Sequence, residues 1–166
     1  KDLSDSGIAL KIITGDNEPV TRHLCETLKI PVLGTANGSR LAELDDPGLE
    51  ALAESVNIFC RVTPAQKKIA ALRARGRIVG YMGDGINDAP SLRASDVGIS
   101  VYGAVDVAKE AADLIMLDQG LEALHEGVLE GRRTAANILK YILMGTSSNF
   151  GNMFSMAGAS LFLPFL

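Results

Sequence analysis

The chain has 166 residues, 47 % of them apolar on a broad count, with a net charge of −4 and a pI near 5.2. That is one soluble domain's worth of chain with room for an appendage, and its acidic balance speaks against a nucleic-acid surface. Two distant cysteines, Cys25 and Cys60, lack metal-type spacing and exclude a disulfide framework; they read as reduced core residues of a cytosolic protein.

His23 and His125 stand alone and read as surface or core residues rather than ligands. The chain opens Lys1-Asp2-Leu3, without an initiator methionine or a signal peptide, and reads as a piece of something longer. Residues 1–7 resemble the end of a helix with Gly7 as its C-cap. Ile8 to Ile13 is a β-rich run that stops at Thr14-Gly15-Asp16-Asn17. Pro19 to Leu28 has helical spacing, with Val20, Leu24 and Leu28 on one face and Asp16 or Asn17 as N-cap. Thr14 offers a hydroxyl and the helix start offers free N–H groups, which suits a phosphate. A plain capping turn is the competing reading of the same residues.

Ile30 to Leu33 reads as a short strand, Thr35 to Arg40 as a loop and Pro47 to Ser55 as a short helix. Val56 to Val62 is a further strand. It leads into Thr63-Pro64-Ala65-Gln66-Lys67-Lys68, with proline at a helix start. A lysine there opposes the helix dipole, so Lys67 or Lys68 is either solvated or aimed at an anion. Ile78 to Met82 is the next strand, followed by a helix from Ala89 to Ala94 with Pro90 in its first turn. Val97 to Val101 and Leu114 to Leu117 are strands that flank a small-residue helix, Ala104 to Ala112. About five strands alternating with helices predict an α/β fold, Rossmann-like, with a mainly parallel sheet and helices on both faces.

The strand at 78–82 runs into Gly83-Asp84-Gly85-Ile86-Asn87-Asp88-Ala89-Pro90. Two carboxylates and an amide thus crowd the carboxyl end of one strand, where open α/β sheets place their ligands. Asp84 and Asp88 at close range repel each other unless a cation sits nearby, most simply Mg2+. Glycine, aspartate and asparagine are also ordinary turn residues, which is the plainer reading.

From Leu121 the pattern changes to one long helical stripe through Leu124, Val128, Ala135, Ile138 and Ile142. The last charges are Arg132, Arg133 and Lys140, and from Tyr141 to Leu166 about 26 residues carry none. As a helix they cover roughly 39 Å, enough for a bilayer core of about 30 Å, and the preceding basic residues fit a cytoplasmic entry. The expectation is therefore a stalk over 121–140 and a membrane span over 141–166; a buried core helix is the alternative. Thr146, Ser147, Ser148, Asn149 and Asn152 sit mid-way, with Ser148, Asn149 and Asn152 on one face. Amides in such a place face an ion path or a packed helix, and Gly145, Gly151 and Gly158 favour close packing.

Four stretches in this order, Thr14-Gly15-Asp16, Thr63 to Lys67, Gly83 to Pro90 and Asp96-Val97-Gly98-Ile99, resemble the phosphorylation domain of P-type cation-transporting ATPases of the haloacid-dehalogenase superfamily. The ending, Thr146 to Asn152 and Leu163 to Leu166, is most similar to the magnesium-transporting branch. The resemblance implies that residues 1–120 are the C-terminal part of that domain, 121–140 a stalk and 141–166 the fifth membrane helix. It implies that Asp84 holds the catalytic Mg2+, with Asn87 and Asp88 ordering that site, Asp88 largely from behind it. Thr14 would hydrogen-bond the phosphoryl group, Lys67 would neutralise it, and Gly15 and Asp16 would border the ATP and the hinge. Asn149 and Asn152 match positions lining the transported cation's path.

The family's nucleophile lies in an Asp-Lys-Thr-Gly motif, which is absent here. By the resemblance it lies upstream, so the chain alone is expected to be inactive. The expected partners are ATP, the transported cation (Mg2+, with Ca2+, H+ or a heavy metal as rivals), the lipid bilayer and the parent's remaining domains and helices. The parent is expected to be integral to a plasma or inner membrane, with residues 1–140 cytoplasmic. Two readings compete: a soluble Mg-dependent phosphatase of the same superfamily, and a non-catalytic Mg2+- or nucleotide-binding module such as a receiver domain.

Overall fold

The computed structural model describes residues 2–62, 78–118 and 120–163. Thr63 to Lys67, with the predicted phosphate-facing Lys67, lies outside the described residues.

The first elements are α1 (Asp2–Asp5), β1 (Ile12–Ile13), α2 (Glu18–Thr27), β2 (Thr35–Asn37), α3 (Gly38–Ala42), α4 (Asp46–Ser55) and β3 (Ile58–Cys60). After them come β4 (Gly80–Met82), a 3-10 turn (Ile86–Asp88), α5 (Ala89–Ala94), β5 (Val97–Val101), α6 (Asp106–Ala111), β6 (Leu114–Met116) and α7 (Leu121–Phe162). The helix starts follow local chemistry. Asn17 accepts from Val20 N at 3.1 Å and Asp45 from Gly48 N at 3.0 Å, and each helix has proline in its first turn. Gly7, at φ +75°, closes α1 with its N–H on Ser4 O at 2.9 Å.

Among the described residues all strand pairs are parallel, but they form two three-stranded sheets rather than one: β1-β3-β2 and β4-β5-β6. β3 is the middle strand of the first, and its three residues are all buried. Strand periodicity sends them to two faces. Ile58 and Cys60 join Cys25 of α2, while Phe59 joins Leu41 of α3 and Leu49 and Leu52 of α4. Helices therefore cover both faces of this sheet. Both cysteines are free and buried, and burial pushes the Cys25 thiol above its ordinary value. Lys11 Nζ donates to Ala53 O and, at 2.8 Å, to Val56 O, placing a cation at the C-terminal end of α4.

One strand differs from expectation. Residues 30–33 form no strand; β2 lies at Thr35–Asn37, in the predicted loop. Pro31 has no N–H for a ladder. The buried Asn57 side chain instead accepts from Leu33 N at 2.9 Å and donates to Pro31 O at 2.6 Å. Those backbone groups are satisfied by an amide, and pairing with β3 begins at Thr35.

The chain divides into two compact units, Lys1–Gly120 and Leu121–Leu166. The second is dominated by α7, a helix of 42 residues, none buried. It is about 63 Å long. It is not a buried core helix, and no helix among the described residues is long and apolar enough to cross a membrane. Length is ample; Thr146, Ser147, Ser148, Asn149 and Asn152 in the middle of the uncharged run lower its hydropathy.

Candidate active-site loop

The Gly83–Asp88 loop follows β4 and is held by backbone groups and one hydroxyl of neighbouring segments. Gly83 N donates to Ile99 O at 3.1 Å, the Ser100 hydroxyl donates to Gly83 O at 2.9 Å, and Val105 N donates to Asp84 O at 3.1 Å. Within the loop, Asp88 N donates to Gly85 O at 3.0 Å.

The two carboxylates have different surroundings. Asp88 is buried, with Oδ1 accepting from the Tyr81 hydroxyl at 2.9 Å and Oδ2 from Gly85 N at 3.1 Å. Asp84 and Asn87 are exposed. The carboxylates thus do not face one ligand together: one braces the loop and the other meets solvent. Gly83 makes this possible, because a Cβ there would lie 2.5 Å from Asp88 Cβ. Burial, and then the Asp88 charge and hydrogen bond, push the Tyr81 phenol above its ordinary value.

The second loop follows β1. Thr14 N donates to Phe59 O at 2.9 Å, which places Thr14 at the C-terminal end of the sheet. Its hydroxyl donates to Asp16 Oδ2 at 3.0 Å and accepts from Asp16 N at 3.1 Å. Asn17, not Asp16, caps α2. Gly15 and Asp16 are exposed. Ile13 packs against the cluster that contains Tyr81, Leu92 and Ala108, so β1 and β4 contribute to one apolar cluster just before each loop begins. Asn149 and Asn152 are exposed on α7, three residues apart.

Among the described residues, no group of three or more His, Cys, Asp or Glu side chains gathers to hold a metal. A protein cage is therefore absent from them. The exposed Asp84 carboxylate still fits Mg2+, which keeps several waters and binds through one or two carboxylates plus substrate phosphate.

Two residues escaped the sequence reading. Tyr81 looked like one more apolar strand residue; its hydroxyl is the donor to Asp88. Arg61 directly follows β3 with φ +52°, and its N–H donates to Asp16 O at 3.0 Å. That left-handed conformation is uncommon outside glycine and ties an exposed arginine to the Thr14 loop. Neither had a local signal, since both depend on groups distant in sequence.

No protein-family model matches the chain. It is 53 % identical over 168 residues to "Magnesium-transporting ATPase, P-type 1" of Escherichia coli (strain K12), covering 100 % of this chain and 19 % of that protein. It is 34 % identical over 166 residues to the "Calcium-transporting ATPase" of Bacillus subtilis (strain 168), covering 97 % and 19 %. Among solved structures, a zinc-transporting PIB-type ATPase matches with TM-score 0.65 and 25 % identity over 85 % of this chain and 19 % of that one. The catalytic domain of a CPx-ATPase matches with TM-score 0.54 and 25 % identity over 75 % and 41 %. The chain spans about a fifth of the length of the relatives it matches. With the loop residues in place on a parallel α/β frame and the likeness running along the whole chain, this polypeptide belongs to the P-type ATPases.

Proposed function

We propose that this chain is part of an ATP-driven cation pump and contributes the half of its phosphorylation site that handles Mg2+ and phosphate. The observation that carries the reading is the exposed Asp84 on a loop pinned through Gly83, Asp84 and Gly85 backbone atoms. Phosphoryl transfer needs positioned charge stabilisation more than covalent chemistry from these groups. Asp84 would hold Mg2+, which when bound neutralises charge on phosphoryl oxygens. Asp88 braces the loop from inside, and Asn87 borders it. The Thr14 hydroxyl turns from Asp16 to donate to the phosphoryl group, and Lys67 adds a positive charge. Gly15 and Asp16 border the nucleotide.

The nucleophile is an aspartate outside this chain, and the intermediate is an aspartyl phosphate. Residues 1–166 alone therefore do not turn over ATP. The transported ion is Mg2+, as in the names of the relatives at 53 % identity. Asn149 and Asn152 offer it amide oxygens, which suit a weakly held or partly hydrated ion. The whole protein resides in a plasma or inner membrane with its ATP site on the cytoplasmic side.

The test is made on the whole protein in sealed vesicles, measuring acid-stable phosphoenzyme from labelled ATP with candidate cations on either side. We expect an acyl phosphate whose level depends on Mg2+, reduced about 100-fold or more by Asp84→Asn, on the scale of losing a principal electrostatic group. Unchanged phosphoenzyme at matched Mg2+ removes Asp84 from the site. Absence of phosphoenzyme, with hydrolysis of small phosphomonoesters, establishes the phosphatase reading instead.

A further inference from the structure

Tyr81 sits on β4, three residues before Asp84, and is 8 % exposed. Its ring packs in the cluster of Leu92, Ala104, Ala108 and Ala111, so the core sets where its hydroxyl lies. That hydroxyl donates to Asp88 Oδ1 at 2.9 Å, and the other oxygen of the same carboxylate accepts from Gly85 N at 3.1 Å. One carboxylate thus couples the rigid strand to the amide that immediately follows Asp84. We infer that Tyr81 is a positioning residue: its hydroxyl orients Asp88, Asp88 holds the Gly85 N–H, and the chain of bonds sets how Asp84 is presented to a divalent cation.

Folding does not need the hydroxyl, because a phenylalanine ring fills the same space. What the hydroxyl adds is a donor to a buried acceptor, and such bonds to charged groups are worth more than neutral ones. Without it, Asp88 has one oxygen less firmly held and the Gly85 amide opens more often. Ser91 provides an internal comparison. Its hydroxyl is fully buried beside the Tyr81 phenol and makes no hydrogen bond to the loop among the described residues.

What Asp84 binds rests on the function proposed above; the Tyr81–Asp88–Gly85 link does not, and the test separates them. In the whole protein, hydrogen exchange is followed by mass spectrometry over the segment containing residues 83–88, and the Mg2+ half-saturation of phosphoenzyme formation is measured in parallel. Tyr81→Phe should speed exchange in that segment about tenfold and raise the Mg2+ half-saturation several-fold, with the thermal midpoint changed by only a few degrees. Ser91→Ala should leave both readouts as in wild type. Unchanged exchange and Mg2+ dependence in Tyr81→Phe, or equal changes in Ser91→Ala, would overturn the inference and reduce Tyr81 to ring packing. 3-Fluorotyrosine at position 81, a stronger hydroxyl donor in the same ring, should slow exchange over the loop; faster exchange there counts against the link. If wild type forms no phosphoenzyme, the proposed function fails, and the exchange data alone decide the role of Tyr81.

Discussion

Gly83 and Asp88 show how one missing side chain sets the chemistry of its neighbour. The Asp88 carboxylate is fastened at both oxygens, so it cannot swing aside for a Cβ at position 83. Gly83→Ala should therefore cost about 1–3 kcal/mol, the usual range for overpacking. Urea unfolding of the chain measures it, and a loss within experimental error would mean that the loop yields without strain. The same geometry explains why two aspartates four residues apart take different parts. Asp88 is drawn inward by donors that already exist, while the Asp84 carboxylate has none among the described residues and faces water.

At the scale of elements, Asn57 decides where the first sheet gains its third strand. It bonds both Pro31 O and Leu33 N, making a stretch with strand-like composition into a side-chain-tethered connection. Asn57→Ala should destabilise the 1–120 unit by about 1–2 kcal/mol, because both backbone partners are only part-buried and water replaces some of the loss. Asn57→Asp keeps an acceptor for Leu33 N and should recover part of that. Chemical denaturation distinguishes the two; equal stability of wild type and Asn57→Ala would show that the tether does not contribute. The helix ends need no such distant partner, since Asn17 and Asp45 cap through residues three positions on.

For the whole molecule, the polar middle of α7 is the feature with the largest consequence. Its amides and hydroxyls lower the hydropathy of an otherwise uncharged run, and they are also the groups proposed to meet the transported ion. Asn149→Ala in the whole protein should raise the transported-cation half-saturation several-fold while leaving the circular dichroism and the folded 1–120 unit unchanged. Wild-type cation dependence in that variant makes this helix face structural.

The sequence by itself determined what depends on neighbours along the chain. The helix caps, the α/β alternation, the placement of Thr14 and Asp84 just beyond strand ends, and the resemblance carried by short motifs were all readable within a few residues. Tertiary structure alone decided which carboxylate faces solvent, because Tyr81, seven residues from Asp88, and Ser100, seventeen from Gly83, act across the fold. It also decided that the described strands form two sheets, since hydrophobic pattern specifies a strand and its buried face but not its partner. The length and lack of charge of residues 141–166 were evident from composition. That they continue one unbroken helix with the preceding basic stretch, up to Phe162, is seen only in the structure.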